Sequence, residues 1–188
     1  MPGKKPLFTL AVGAILIGLL TLPLAAASDQ GQGQYKLGGA WLGIKSDGGH
    51  RWTCIETPLD SAAREATLQV SFTVYSPPMA GLIASAGADS FGDFVGEARM
   101  SDRTTAQFTL VGYAVKQSQL AVPPEIRLIF VGFGTWTFTD STHAVLQYWV
   151  NVYPAAADAD GDGMPDAGST PMLRFPITDT AQRVPILP

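Results

Sequence analysis

Ile126-Arg127-Leu128-Ile129-Phe130-Val131-Gly132-Phe133-Gly134-Thr135-Trp136-Thr137-Phe138 decides the fold class of this chain. The run is β-branched and aromatic almost throughout, the composition of a strand rather than a helix. It is apolar on both faces. Gly132 and Gly134 inside it mark a bulge or a bend, as at the corner of a curved sheet. The same period of two recurs on either side. Leu68, Val70, Phe72 and Val74 alternate with Gln69, Ser71 and Thr73, a half-buried strand. Phe108 and Leu110 alternate with Gln107 and Thr109 before residues 111–115 turn apolar on both sides, and residues 144–153 form a further strand. Shorter strands fit residues 37–45, 51–57 and 94–100. Residues 172–178 make a last extended piece, which Pro171 and Pro176 confine to an edge or a lashing segment.

Ser46-Asp47-Gly48-Gly49, Ser101-Asp102-Arg103 and Thr139-Asp140-Ser141 carry turn chemistry between these strands. Two connectors are long: residues 76–92, rich in Pro, Ala, Gly and Ser, and the acidic, Gly-rich residues 154–171. A short helix is expected at residues 61–67, with Leu59-Asp60 as its cap, and nowhere else. Seven or eight strands joined mainly by short turns imply an all-β, antiparallel meander. Such a sheet hides its edges by closing into a barrel-like form, with a β-sandwich as the alternative. Leu68, Val70, Phe72, Val74, Phe108, Leu110, Ile126, Leu128, Phe130, Val145 and Trp149 are its expected core.

With 188 residues, 46% hydrophobic and 15% charged, the chain has the composition of a folded domain. Twelve Lys and Arg against 16 Asp and Glu give a net charge of −4, with no basic stripe to meet a phosphate backbone, so nucleic-acid binding is disfavoured. A single cysteine excludes an internal disulfide and a multi-cysteine zinc site. Residues 1–27 read as a signal peptide: Lys4 and Lys5, a mostly apolar stretch at residues 7–24, then Ala25-Ala26-Ala27. An uncleaved anchor is the rival reading, against which Pro23 and the alanines argue. Residues 28–34 are a flexible polar lead-in and residues 35–188 a single β-domain. The expected product is exported, periplasmic or extracellular, and free of the membrane once cleaved.

Asp158-Ala159-Asp160-Gly161-Asp162-Gly163-Met164-Pro165-Asp166 is the sharpest chemical signal. Calcium takes six to eight hard oxygen ligands, and a calcium loop supplies them from alternate positions. Here those positions fall on Asp158, Asp160, Asp162, the Met164 carbonyl and Asp166, with Gly163 where the loop turns sharply. The segment resembles the calcium loops of EF-hand, dockerin and thrombospondin type 3 proteins, and the resemblance implies a structural calcium ion. Ser169 stands where an EF-hand has its bidentate Glu, and no flanking helix is expected, so helix-loop-helix architecture is not implied. A solvated acidic turn is the plainer alternative, although four carboxylates in nine residues repel one another.

Gly38-Gly39-Ala40-Trp41-Leu42-Gly43, Asp93-Phe94-Val95-Gly96-Glu97-Ala98 and the late Asp-rich loop together resemble uncharacterised exported bacterial β-domain proteins, a likeness that implies no activity. The Gly-x-Trp opening is also similar to that of lipocalins. Cys54 fits a small core residue better than a nucleophile near His50. His143, with Asp140 and Ser141, fits a turn better than a triad, since no Gly-x-Ser-x-Gly elbow exists. Glu56 and Glu97 would form an acid/base pair only if both faced one interior. Trp41, Trp52, Trp136 and Trp149 suit either a core or a ligand or carbohydrate site.

Three functions follow from these residues. The first is a non-enzymatic exported β-domain, a structural or interaction module with a calcium-binding loop and an unknown protein or small-molecule partner. The second is a lipocalin-like carrier of a small apolar ligand. The third is a hydrolase with unrecognised residues. The first has the Asp loop as its positive feature, the second awaits a cavity, and the third awaits convergent titratable groups.

Overall fold

The structure, a computed structural model, describes residues 35–45, 51–74, 77–117 and 123–185. The segments expected to be signal peptide and lead-in, the Ser46–Gly49 turn, His50 and the Val74 side chain lie outside the described residues. Nine strands form: β1 (Gly39–Lys45), β2 (Arg51–Pro58), β3 (Glu65–Val74), β4 (Ser90–Phe91), β5 (Phe94–Met100), β6 (Thr105–Lys116), β7 (Glu125–Phe138), β8 (His143–Pro154) and β9 (Leu173–Arg183). Each long strand pairs antiparallel with the next, β3 with β5 across the break, and β9 returns to β1. The result is an eight-stranded closed barrel, with β4 a short continuation that pairs with β6 beyond β5. Closure removes every long edge, and the sandwich alternative falls away.

The ladders also fix the stagger. Stepping across the strands from Phe175 passes Val150, Gly132, Leu110, Gly96, Leu68, Glu56 and Gly39. Because Trp41 pairs with Arg183, the walk comes back to β9 opposite residue 185, ten residues from its start. The strands therefore tilt steeply around the barrel axis, as stagger and tilt are linked.

One side-chain period faces inward on every strand, and on β2 it is Trp52, Cys54 and Glu56, all buried. The short turns at residues 59–64, 101–104 and 139–142 lie at one end. There Leu37 donates its N–H to the Ala63 carbonyl at 2.8 Å, and Tyr35 stacks on Phe138 at 5.5 Å, closing the barrel. The long connections gather at the other end. Helix α1 (Pro77–Ser85) roofs it, with Ile83 buried and Met79 and Leu82 packed against the core.

Four expectations need correction. Residues 61–67 form no helix: Ala63 has φ 52°, left-handed backbone that stops one, and β3 begins at Glu65. The helix lies instead in the connector read as irregular, where prolines suit a first turn and Met79, Leu82 and Ile83 share one face. β9 is no edge piece but a full barrel strand reaching Arg183. Its proline is tolerated because β1 pairs only with residues 179–183, so Pro176 has β8 alone beside it among the described residues. Trp149 is 41% exposed and points outward, and Val145, also expected in the core, shares that phase and is only half-buried, because Leu146, Tyr148 and Val150 take the inward phase of β8.

A second, smaller cluster explains the double-sided apolar runs. Val111, Ile129 and Tyr153 are buried on the outer wall, with Tyr113, Ile126, Val131 and Ala157 packed around them. Ala157 belongs to the connector that follows β8, so part of the wall that reads as core is covered from outside.

Candidate functional site

The barrel interior is aromatic at its roofed end. Phe91 meets Phe94 at 5.3 Å and Phe130 at 5.0 Å, and Phe72 meets Phe94 at 5.4 Å, all edge to face. Deeper down, Trp136 stands edge-on to Trp52 at 6.0 Å and to Trp41 at 5.4 Å. Such rings fit because glycines face them. A Cβ on Gly43 would strike the Trp52 indole, and one on Gly112 would come within 2.8 Å of the Phe94 ring. Gly132 differs, since a Cβ there would meet only the Leu110 Cβ at 3.8 Å, an ordinary contact. Gly132 borders a cavity of about 70 Å³ whose wall also includes Trp52, Phe108, Trp136 and Tyr148, with Met79 of α1 at its roof. Phe72, Leu110, Tyr148 and Phe175 face inward yet keep accessible surface, which they present to this space and its mouth.

One polar knot interrupts the wall. Asp179 is fully buried, and its Oδ2 accepts the Trp52 indole N–H at 2.7 Å and the Tyr148 O–H at 2.8 Å. Burial, and after it the adjacent Asp179, holds the Tyr148 phenol well above its ordinary range, so it is a neutral hydrogen-bonding group. Trp52 spends its single donor on Asp179. Tyr148 donates there too but keeps an acceptor oxygen.

A second buried carboxyl lies toward the closed end. Glu56 is 3% exposed, and its Oε2 accepts the Gly38 N–H at 2.8 Å and the Trp41 indole N–H at 3.0 Å. Arg183 lies 4.8 Å from the centre of the Trp41 ring. Neither Glu56 nor Asp179 was singled out as a buried anchor by sequence reasoning. The signal was present: Trp52, Cys54 and Glu56 share a phase, as do Ile177, Asp179 and Ala181, and an acid in an inward phase is an anchor.

The remaining sequence candidates separate. Glu97 is exposed while Glu56 is inside, so the two form no acid/base pair. Burial pushes the Cys54 thiol far up, leaving it an inert core group. His143 is exposed, its Nδ1 3.0 Å from Asp140 Oδ2. Asp140 chiefly caps its own turn through the Thr142 N–H and hydroxyl, which bring its carboxyl down to about 2. Trp41, Trp52 and Trp136 are interior, and Trp149 lies under the Arg174 guanidinium at 4.4 Å.

The Asp-rich loop folds against the outer cluster, where Tyr113 donates its O–H to the Gly163 carbonyl at 2.8 Å. Asp158, Asp160 and Asp166 each bring a carboxylate oxygen into one group within 4.8 Å. Asp158 also accepts the Gly161 and Gly163 N–H groups, at 2.9 and 3.0 Å. Gly161 at φ 77° and Gly163 at φ 89° supply the left-handed turns this wrapping needs. Asp162 stands outside the group and accepts the Met164 N–H at 2.7 Å. Three hard-oxygen donors at this spacing could hold a metal ion.

No protein-family model matches the chain, and neither a curated protein nor a solved structure matches it.

Proposed function

We propose that this chain is an exported, non-enzymatic barrel of lipocalin-like type that binds a small apolar molecule beneath α1. The cavity beside Gly132 carries the reading. Space left inside a close-packed barrel costs dispersion contacts, and its wall is almost wholly apolar at the end where the connections are longest. At about 70 Å³ it is smaller than the roughly 150 Å³ that receives a benzene in an engineered cavity, so a ring-sized ligand needs the roof to give. Met79 suits that part, being unbranched and adaptable. A titration of the purified protein with benzene, toluene and naphthalene tests the reading, with melting temperature and tryptophan fluorescence as readouts. Gly132→Leu, which fills the cavity from a position with room for a side chain, should abolish the response. If none of the three compounds raises the melting temperature, the barrel is a filled structural module instead.

The Asp-rich loop favours a second reading alongside the first. We infer that Asp158, Asp160 and Asp166 hold a structural calcium ion, as three of the ligands expected from the sequence. The support is the convergence of three carboxylates on a loop already braced by Tyr113.

A further inference from the structure

We propose that the outer face of β1 and β2 is where a second copy of this chain docks, making a two-fold dimer joined barrel wall to barrel wall. Such a contact is independent of what the interior holds.

The closed barrel offers no long strand edge to extend, so association has to run through outward side chains. On β1 and β2 several of these are large and apolar. Leu42 is 52% exposed, Ile44 45% and Ile55 55%. They form one patch. Leu42 and Ile44 are two residues apart on one strand and so share a face. Ala40 pairs directly with Ile55 and Leu42 with Thr53, which puts Ile55 diagonally beside Leu42. Val184 extends the patch on the β9 side, where its N–H donates to the Ala40 carbonyl at 2.8 Å.

Charge decides what this patch can meet. With 12 Lys and Arg against 16 Asp and Glu, two copies repel wherever their carboxylates face one another. No Asp or Glu stands on the outward phase of β1, β2 or β9, because Glu56 and Asp179 both point inward. The flanking outward positions are Thr53, Thr57, Thr180 and Gln182, with Arg51 at the rim beside Ile44. A two-fold contact sets each residue near the axis against its own copy, so the surface has to be complementary to itself. Hydroxyls and amides are donor and acceptor at once and meet that condition, whereas a carboxylate does not. A strongly basic or acidic partner would find no array of opposite charge here. Ile44, Ile55 and the threonines are also stiff at χ1, so docking costs them little side-chain freedom. The apolar centre is small, which places the dimer at the weak end of specific association, with a dissociation constant of about 1 to 100 µM.

Sedimentation velocity of the purified protein, over concentrations that bracket this range, should show a monomer converting to a dimer. Leu42→Glu sets two carboxylates against each other across the axis and should weaken the dimer by about 100-fold or more. Leu42→Thr keeps a strand-forming side chain at an exposed position and should weaken it by about three- to tenfold. Gln107→Glu adds the same charge on β6, next to Arg99 and away from the patch, and should leave the dimer as it is. A monomer at every concentration would overturn the assignment. So would a dimer that both Leu42 variants leave intact, or one that Gln107→Glu weakens as much as Leu42→Glu does.

Discussion

Glu56 accepts the Trp41 indole N–H on Oε2 at 3.0 Å, while its Oε1 is buried without a hydrogen-bond partner among the described residues. A half-satisfied buried carboxyl is held at a cost, and that cost depends on its proton. Burial raises the Glu56 carboxyl from its ordinary value of about 4.5, and the Gly38 and Trp41 hydrogen bonds and the Arg183 charge only partly offset this. The fold therefore holds the proton more tightly than the unfolded chain does. Stability from this group is fully present below about pH 4.5 and is lost as pH rises through the raised value. The stability of the unaltered protein relative to Glu56→Gln should accordingly fall on going from pH 4.5 toward neutrality, by at most about 1.4 kcal/mol per pH unit. Urea unfolding of both proteins across that range checks it. A difference that stays constant or grows with pH would contradict the sign.

Two glycines on one strand should respond oppositely to alanine. A Cβ on Gly134 would collide with the Gln147 carbonyl and the Tyr148 backbone, neither of which can step aside. Gly134→Ala should therefore cost about 3 kcal/mol or more. Gly132 has room, and its alanine variant should be neutral or up to about 1 kcal/mol more stable, because alanine restricts the unfolded chain. Guanidinium unfolding of the pair distinguishes the two environments. Equal costs would mean the space beside Gly132 is filled.

Processing is a separate expectation. Ala25-Ala26-Ala27 after an apolar stretch should be cut so that the exported chain begins at Ser28. N-terminal sequencing of protein recovered from outside the cytoplasm should return Ser-Asp-Gln. A retained Met1 on membrane-bound protein would mark an anchor instead.

The barrel was legible because period-two alternation survives in nearly every strand, and Leu68 and Val70 are buried opposite an exposed Gln69 as the pattern requires. Phase was lost where both faces are apolar. Trp149 follows Tyr148, and nothing local says that the tyrosine goes inward to Asp179 while the tryptophan lies outside under Arg174. Val111 and Ile129 look like core because they are buried, but by a connector folding over the outer wall. Helix α1 was hidden by composition, since its prolines, glycine and alanines blur the Met79, Leu82, Ile83 stripe. The site was legible only through Trp52 and Trp136, two of the four tryptophans that suited a core or a ligand site, because a cavity arises from what eight strands leave between them, and Gly132 looks the same in sequence as Gly134.

The Asp-rich loop gives the last prediction. Asp158, Asp160 and Asp166 are close enough for their charges to repel, and a divalent cation among them would relieve that repulsion. The loop is also tied to the barrel through Tyr113 and the buried outer cluster, so ordering it should stabilise the whole domain. Ser169 replaces the bidentate Glu of the strongest loops, which places affinity near the weak extracellular range of roughly 10⁻⁴ to 10⁻³ M. At free calcium ten times that constant, mass action adds about 1.4 kcal/mol of stability. Calcium should thus raise the melting temperature where magnesium, which demands tighter octahedral geometry, does not. Asp160→Ala should remove the calcium response and leave the far-ultraviolet β-sheet spectrum unchanged, since Asp160 is exposed and outside the strands. If calcium and magnesium act alike, or the variant responds like the unaltered protein, the loop is an acidic turn held by its own backbone hydrogen bonds.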